Sequence, residues 1–214
     1  MNRSPAPRSR RFRLTRQMLL AYLCLIPIAI GIGFGSVALF RVYERHKYPR
    51  YSQQTVDTLC ARYNLPPSRV YAVMYVESGF SSNASSDGRI GLMGLTREQF
   101  AWIGENLLHE TKDPGLLFDP DTNLRYGCAY LAYLFDRYLL WDTACAAYRC
   151  GTDTVDGWLE NKKLTDSFGA LRVSGIPDEE VRNYVKSIIK TAEKYEALYH
   201  CYVRTVVKPL FVTR

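Results

Sequence analysis

From Gln17 to Phe40 the chain carries no charged side chain, and the run is dense in Leu19, Leu20, Leu23, Leu25, Ile26, Ile28, Ile30, Ile32 and Phe34. A hydrocarbon core of ~30 Å is crossed by about 20 helical residues, so the run is long enough to span a bilayer. Pro27 with Gly31, Gly33 and Gly35 is tolerated in such a helix, where neighbouring groups re-satisfy the backbone. A buried core helix would not account for the arginines ahead of it, Arg3, Arg8, Arg10, Arg11, Arg13 and Arg16. Those cations favour an N-terminus retained in the cytoplasm, which sends everything after Arg41 to the outer side of the membrane. A cleaved signal peptide fits less well, because its apolar core is shorter and ends in small residues, whereas this run leaves through Leu39, Phe40, Arg41, Val42 and Tyr43. The expected organisation is a basic cytoplasmic tail at 1–17, a transmembrane anchor at 18–40, a polar juxtamembrane linker at 41–50 and a folded domain at 51–200. A C-terminal tail at 201–214 closes the chain.

The net charge of +7 belongs to that N-terminal region. The first fifty residues hold ten of the 28 Lys and Arg and one of the 21 acids, leaving 18 basic against 20 acidic residues for the rest of the chain. A slightly acidic domain argues against nucleic acid as a partner and assigns the basic balance to the membrane. Cys24 falls in the apolar run, and Cys60, Cys128, Cys145, Cys150 and Cys201 are an odd number that cannot all pair within one chain. Cys128 and Cys145 take positions where a helix wants a small apolar residue. Neither a metal nor an organic cofactor is expected, since the cysteines and His46, His109 and His200 have no ligand spacing and no phosphate-binding glycine loop is present.

Beyond Tyr51 there is no repeat and no strict period-two alternation; the pattern is helical. Val70, Val73, Met74 and Glu77 fall at i, i+3, i+4 and i+7 behind Pro66, Pro67 and Ser68, which supply helix-start chemistry. Thr96 and Gln99 are spaced as a capping box for a helix carrying Phe100, Ile103 and Leu107. Asp119 followed by Pro120 reads as an N-cap and first helical position for a central helix lined by Leu124, Cys128, Leu131, Phe135 and Tyr138. A shorter helix is expected over 143–148, another turn or two around Val155, Trp158 and Leu159, and a last long helix after Pro177. That helix would bury Val181, Tyr184, Ile188, Ala192, Tyr195 and Tyr199. The fold class is mainly α, one compact helical domain.

Glu77 lies on an apolar helix face, where an ionised carboxylate without a partner is costly. Gly79 follows, so the helix should end there and leave the carboxyl at the edge of the core. A carboxylic acid kept protonated in such a place can give its proton to a glycosidic oxygen. A buried acid paired with an arginine would be a purely structural feature, and the residues by themselves leave both readings open.

Glu77-Ser78-Gly79-Phe80 followed by Gly91-Leu92-Met93 resembles the signature of the soluble lytic transglycosylase family. Asn123 to Gly127, Ala147-Tyr148-Arg149-Cys150-Gly151 and Glu180-Val181-Arg182-Asn183-Tyr184-Val185 resemble three further elements in the family's order. The resemblance runs from about Tyr51 to Tyr199 and implies a lysozyme-like helical domain acting on peptidoglycan glycan strands. It makes Glu77 the catalytic acid and then base. It also implies that Ser86 contacts substrate from the Ser-Asp-Gly loop and that Met93 lines the saccharide groove. Tyr148 would hydrogen-bond near Glu77, and Glu180 and Tyr184 would close the opposite wall. Taken singly, Met93 and Tyr184 could be core, Ser86 a turn residue and Glu180 a solvated first-turn acid.

Gly94 stands where the family has glutamine, Arg149 where it has asparagine, and the loop from Ser86 to Gly91 is about one residue shorter. The family mechanism forms a 1,6-anhydro end on N-acetylmuramic acid through its own 6-hydroxyl, which removes the need for a second carboxylate. Asp87 could instead position a water, giving a lysozyme-like hydrolase. A third possibility is a membrane-anchored protein that binds glycan without cutting it. A cell-wall assembly is a conceivable partner, and nothing in the sequence selects one.

Overall fold

A computed structural model describes residues 16–167 and 169–199. Most of the basic tail, His200, Cys201 and the 201–214 tail lie outside the described residues. The chain divides into two units, one ending at Lys47 and the other beginning at Tyr48.

The first unit is helix α1, Arg16–Lys47. Its segment Leu23–Lys47, which contains an 18-residue window with a mean hydropathy of 2.3, is the one stretch among the described residues that is long and apolar enough to cross a membrane. The linker expected at 41–50 is helical up to Lys47, because no glycine or proline interrupts the chain before Pro49. Arg45, His46 and Lys47 in the last turn also complement the negative end of the helix dipole.

The second unit contains α2 (Gln53–Tyr63), α3 (Pro67–Ser78), α4 (Arg97–Ile103), α5 (Pro120–Tyr138), α6 (Trp141–Cys150), α7 (Thr152–Glu160) and α8 (Glu179–Tyr199). The expected start signals operate as physical caps. The Thr96 hydroxyl accepts from the Gln99 N–H at 3.1 Å while the Gln99 side chain accepts from the Thr96 N–H at 3.0 Å. The Asp119 carboxylate accepts from the Thr122 N–H at 2.9 Å, with Pro120 in the first helical position. These satisfy donors that a helix start otherwise leaves without partners.

The core lies where α3 packs on α8 and α5 packs on α6 and α2. Tyr71 of α3 and Tyr195 of α8 stack with centroids 5.2 Å apart. The Tyr195 hydroxyl donates to the Pro49 carbonyl, and that of Tyr199 to the Tyr48 carbonyl, which ties the entry of the domain to its last helix. Leu124, Cys128 and Leu131 are buried on α5, and Phe135 stacks on Trp141 at 4.1 Å. Burial pushes the Cys128 thiol well up and that of Cys145 up to about 12, as befits small apolar core residues.

One element departs from the helical pattern. Ser85–Ser86 and Arg89–Ile90 pair antiparallel as β1 and β2, with Ser86 opposite Arg89. Asp87 (φ 51°) and Gly88 (φ 75°) form the two-residue turn, the geometry that Asp-Gly favours in tight hairpins.

Candidate active site

Helix α3 ends at Gly79, whose N–H returns to the Met74 and Tyr75 carbonyls. Ser78, the residue after Glu77, fastens this end to the neighbouring loop: its hydroxyl lies 2.8 Å from the Leu92 carbonyl and accepts from the Phe80 N–H. The loop itself is held from behind by Asn123 of α5. Its side-chain carbonyl accepts from the Met93 N–H at 2.7 Å, and its amide donates to the carbonyls of Ile90 and Leu117 at 3.0 and 2.9 Å. One turn along α5, Gly127 has to be glycine, since a Cβ there would lie 2.6 Å from the Met93 side chain. The Asn-x-x-x-Gly spacing is therefore a clamp that seats the Gly91-Leu92-Met93 turn against α5.

The front of the same loop faces Glu77. Arg89 donates to both oxygens of its carboxylate, Nε to Oε2 at 2.9 Å and Nη2 to Oε1 at 3.0 Å. The side chains are 8% and 3% exposed, so the pair is deeply buried. Arg149, at the end of α6, brings Nη1 to 3.6 Å from Glu77 Oε2 and donates through Nη2 to Glu180 of α8. Burial by itself would lower the Arg89 guanidinium, but the charge of Glu77 and its hydrogen bonds outweigh that and raise it above its ordinary value.

Gly94 completes the arrangement. It adopts φ +58°, and a Cβ there would lie 2.3 Å from Glu77 Oε2. The glutamine that the family pattern expects would collide with the carboxylate where it now sits. The two substituted positions noted in the sequence thus touch the same side chain: Gly94 leaves room for Glu77, and Arg149 adds a second cation beside it.

Glu77, Ser86, Glu180 and Tyr184 line one cleft of about 390 Å³, together with Asp87, Arg89, Arg149 and Asn183. The Glu180 side chain is 72% exposed on the rim. Ser86 sits on the hairpin, its hydroxyl donating to the Asp87 carboxylate. The cleft does not take in the other two residues singled out. Met93 is fully buried against Gly127, a core residue and not a wall of the groove. Tyr148 is also fully buried, and its hydroxyl donates to the Met93 carbonyl at 2.8 Å, within reach of the Glu77 charge. Burial first, and then the charge of Glu77, pushes the phenols of Tyr148 and Tyr184 well above the ordinary tyrosine range. The Tyr184 hydroxyl is buried without a hydrogen-bond partner.

A second hollow, of about 540 Å³, is walled by Trp102, Tyr130, Tyr133 and Gln99 and carries no buried acid. It is the larger of the two, but the smaller is the one where a buried carboxyl meets solvent. Among the described residues no group of three His, Cys, Asp or Glu side chains is placed to hold a metal ion.

Residues 55–168 match the family model described as the transglycosylase SLT domain. The chain belongs to this family. Among curated relatives of this SLT domain, the membrane-bound lytic murein transglycosylase C of Actinobacillus pleuropneumoniae is 29% identical over 164 residues, covering 65% of this chain and 44% of that protein. The soluble lytic murein transglycosylase of Escherichia coli K12 is 29% identical over 150 residues, covering 65% of this chain and 21% of that protein. The chain therefore spans less than half the length of these relatives. Among solved structures, an inactive glutamate-to-glutamine mutant of the lytic transglycosylase Slt from Pseudomonas aeruginosa superposes with a TM-score of 0.66 at 25% identity, over 74% of this chain and 26% of that one. The 70-kDa soluble lytic transglycosylase of Escherichia coli in complex with bulgecin A gives a TM-score of 0.66 at 25% identity, over 72% and 25%.

Arg89 was not legible as a site residue. A buried acid demands a cation, but the arginine that supplies it is fixed only by the register of a hairpin too short to show an alternating pattern. The Asp-Gly pair was the available signal.

Proposed function

We propose that this chain is a membrane-anchored lytic transglycosylase that cleaves peptidoglycan between N-acetylmuramic acid and N-acetylglucosamine. The observation that carries the reading is Glu77: of the three carboxyl groups lining the cleft it is the one with a buried side chain, and it stands at the acid position of the family motif. The relatives named as lytic murein transglycosylases support it, as does a solved neighbour inactivated by a glutamate-to-glutamine change.

In this reading Glu77 gives its proton to the glycosidic oxygen as the bond to the muramic C1 breaks. The 6-hydroxyl of the same sugar then bonds to C1 and returns a proton to Glu77. The products are a 1,6-anhydro end and a free 4-hydroxyl, the acid is regenerated, and no water is consumed. Proximity of the 6-hydroxyl replaces a second catalytic carboxylate. Ser86, Asn183 and Tyr184 supply polar contacts to the sugars, and Glu180 forms the rim. Helix α1 holds the protein in the membrane with residues 1–17 in the cytoplasm and the domain outside, an orientation that rests on the arginine-rich N-terminus.

The ion pair of Glu77 with Arg89 favours a second reading, a groove that binds glycan without cutting it. Mass spectrometry of the products released from purified sacculi by wild type and Glu77→Gln separates the two. Products with 1,6-anhydro-muramic ends that disappear in the mutant are the expected result. Reducing ends would mean hydrolysis, and binding without products in either protein would leave the non-cutting groove.

A further inference from the structure

Resting on that reading, we infer that Arg89 and Arg149 determine which strands the cleft cuts, by exchanging Glu77 for a carboxylate carried on the substrate. Two guanidiniums converge on one carboxylate here. Arg89 grips both oxygens of Glu77, and Arg149 stands 3.6 Å from one of them. A sugar oxygen that takes a proton from Glu77 has to compete with Arg89 for an oxygen of its carboxyl group, so productive binding displaces these arginines.

The cleft holds the means to do so. Arg149, itself 19% exposed, is tied to Glu180, a side chain 72% exposed, and a pair with one partner in solvent is held by less free energy than the two-point grip of Arg89 on Glu77. Its guanidinium lies over the ring of Tyr184, 5.5 Å from the centroid, and the Tyr184 hydroxyl is buried in the cleft lining with no partner. An unpartnered buried hydroxyl beside a loosely held, fork-shaped donor is matched by a carboxylate, which takes paired N–H donors and an O–H together.

The groups facing Glu77 are Arg89 from β2, Arg149 and Tyr148 from α6, Tyr184 and Glu180 from α8, and Asp87 from the hairpin turn. A substrate carboxylate that draws Arg149, and then Arg89, toward itself removes the counter-charge from Glu77 and places a like charge nearby. The exchange frees the Glu77 oxygens to meet the glycosidic oxygen. The acid is thereby armed by the substrate that it acts on. Muramic acid offers such a carboxylate from two sources: the lactyl group where the stem peptide has been removed, or the stem peptide itself.

The test uses the full chain in detergent micelles as wild type, Arg149→Gln and Arg89→Gln. Three substrates are compared: glycan strands stripped of peptide by an amidase, the same strands with the lactyl group converted to its methylamide, and strands bearing stem peptides. Formation of anhydro ends and equilibrium binding are both measured. Wild type is expected to prefer the carboxylate over the methylamide by about tenfold or more in kcat/KM, the scale of one charge-assisted hydrogen bond. Arg149→Gln should bring that ratio close to one, and Arg89→Gln should raise the rate on the neutral strand. Preference for stripped over peptide-bearing strands assigns the carboxylate to the lactyl group; the reverse assigns it to the stem. Equal rates on acid and methylamide in wild type, or a preference that survives Arg149→Gln, would overturn the inference. If no protein cuts any strand, the transglycosylase reading fails separately. The exchange site then stands on a binding preference for the carboxylate that Arg149→Gln abolishes, and falls without one.

Discussion

The loop from Gly91 to Gly94 has two sides that are built on opposite principles. On the α5 side, Asn123 satisfies the Met93 N–H of the loop and the neighbouring carbonyls of Ile90 and Leu117 and is itself fully buried, so the polar groups meeting there are matched. On the cleft side, an acid and two arginines crowd together, and a buried tyrosine hydroxyl goes without a partner. A matched network fixes a conformation, whereas ion pairs that cost much to desolvate and a stranded hydroxyl add little to stability and persist for another reason. The back of the loop is scaffold, and the front is the side to which the proposed function assigns the chemistry.

The sharpest way to break that division is to remove the scaffold. Asn123→Ala strands the Met93 N–H and two carbonyls in the core and should cost about 3–5 kcal/mol, read from denaturant unfolding. A loss below about 1 kcal/mol would mean that the clamp is not the structural element described. Next, Arg89→Gln leaves the buried Glu77 with only Arg149, 3.6 Å away, as counter-charge and should cost about 3 kcal/mol, while adding Glu77→Gln should recover most of it. If the double variant is as unstable as Asn123→Ala, the cleft side is scaffold too. Gly94→Ala forces a side chain into a left-handed backbone and against the Glu77 carboxylate; a loss of about 1–3 kcal/mol and an altered rate of anhydro-end formation are expected. A variant as stable as wild type would show that Glu77 is free to move aside.

The smallest effect lies far from the loop, at the α5 cap. Hydrogen bonds from Thr122, side chain first and then backbone, hold the Asp119 carboxyl below its ordinary value of 3.8. Its contribution is therefore complete above that value and fades as the pH falls through the lower, folded one. Asp119→Ala should cost about 1 kcal/mol near neutral pH, and the difference from wild type should vanish in strong acid. A difference that does not change with pH would exclude the charged cap.

The architecture was legible because its signals are local. Proline at 67 and 120, the Thr96 and Gln99 box, the Asp119 cap and the spacing of Val181, Tyr184 and Ile188 each act within a turn or two of chain. Glu77 was legible too, as an acid on an apolar face ahead of a glycine. Its partner was not. Arg89 reaches it only because a two-residue hairpin turn folds the chain back, and Tyr148 and Met93 look inward because Gly127 lets the loop close on α5. The same glycine spacing that marks the motif decides which of its residues face the groove, and that decision depends on contacts thirty or more residues apart along the chain.

The space at Gly94 also has a consequence for descent. A side chain at 94 and the Glu77 carboxylate in its present seat claim the same volume. The family's glutamine and this chain's arginine pair are therefore alternative solutions that cannot be mixed one substitution at a time. Relatives should fall into two lineages, glutamine at 94 with a small or neutral residue at 89, or glycine at 94 with arginine at 89. Crossing between them requires both positions to change together, so the choice, once made, should be hard to reverse.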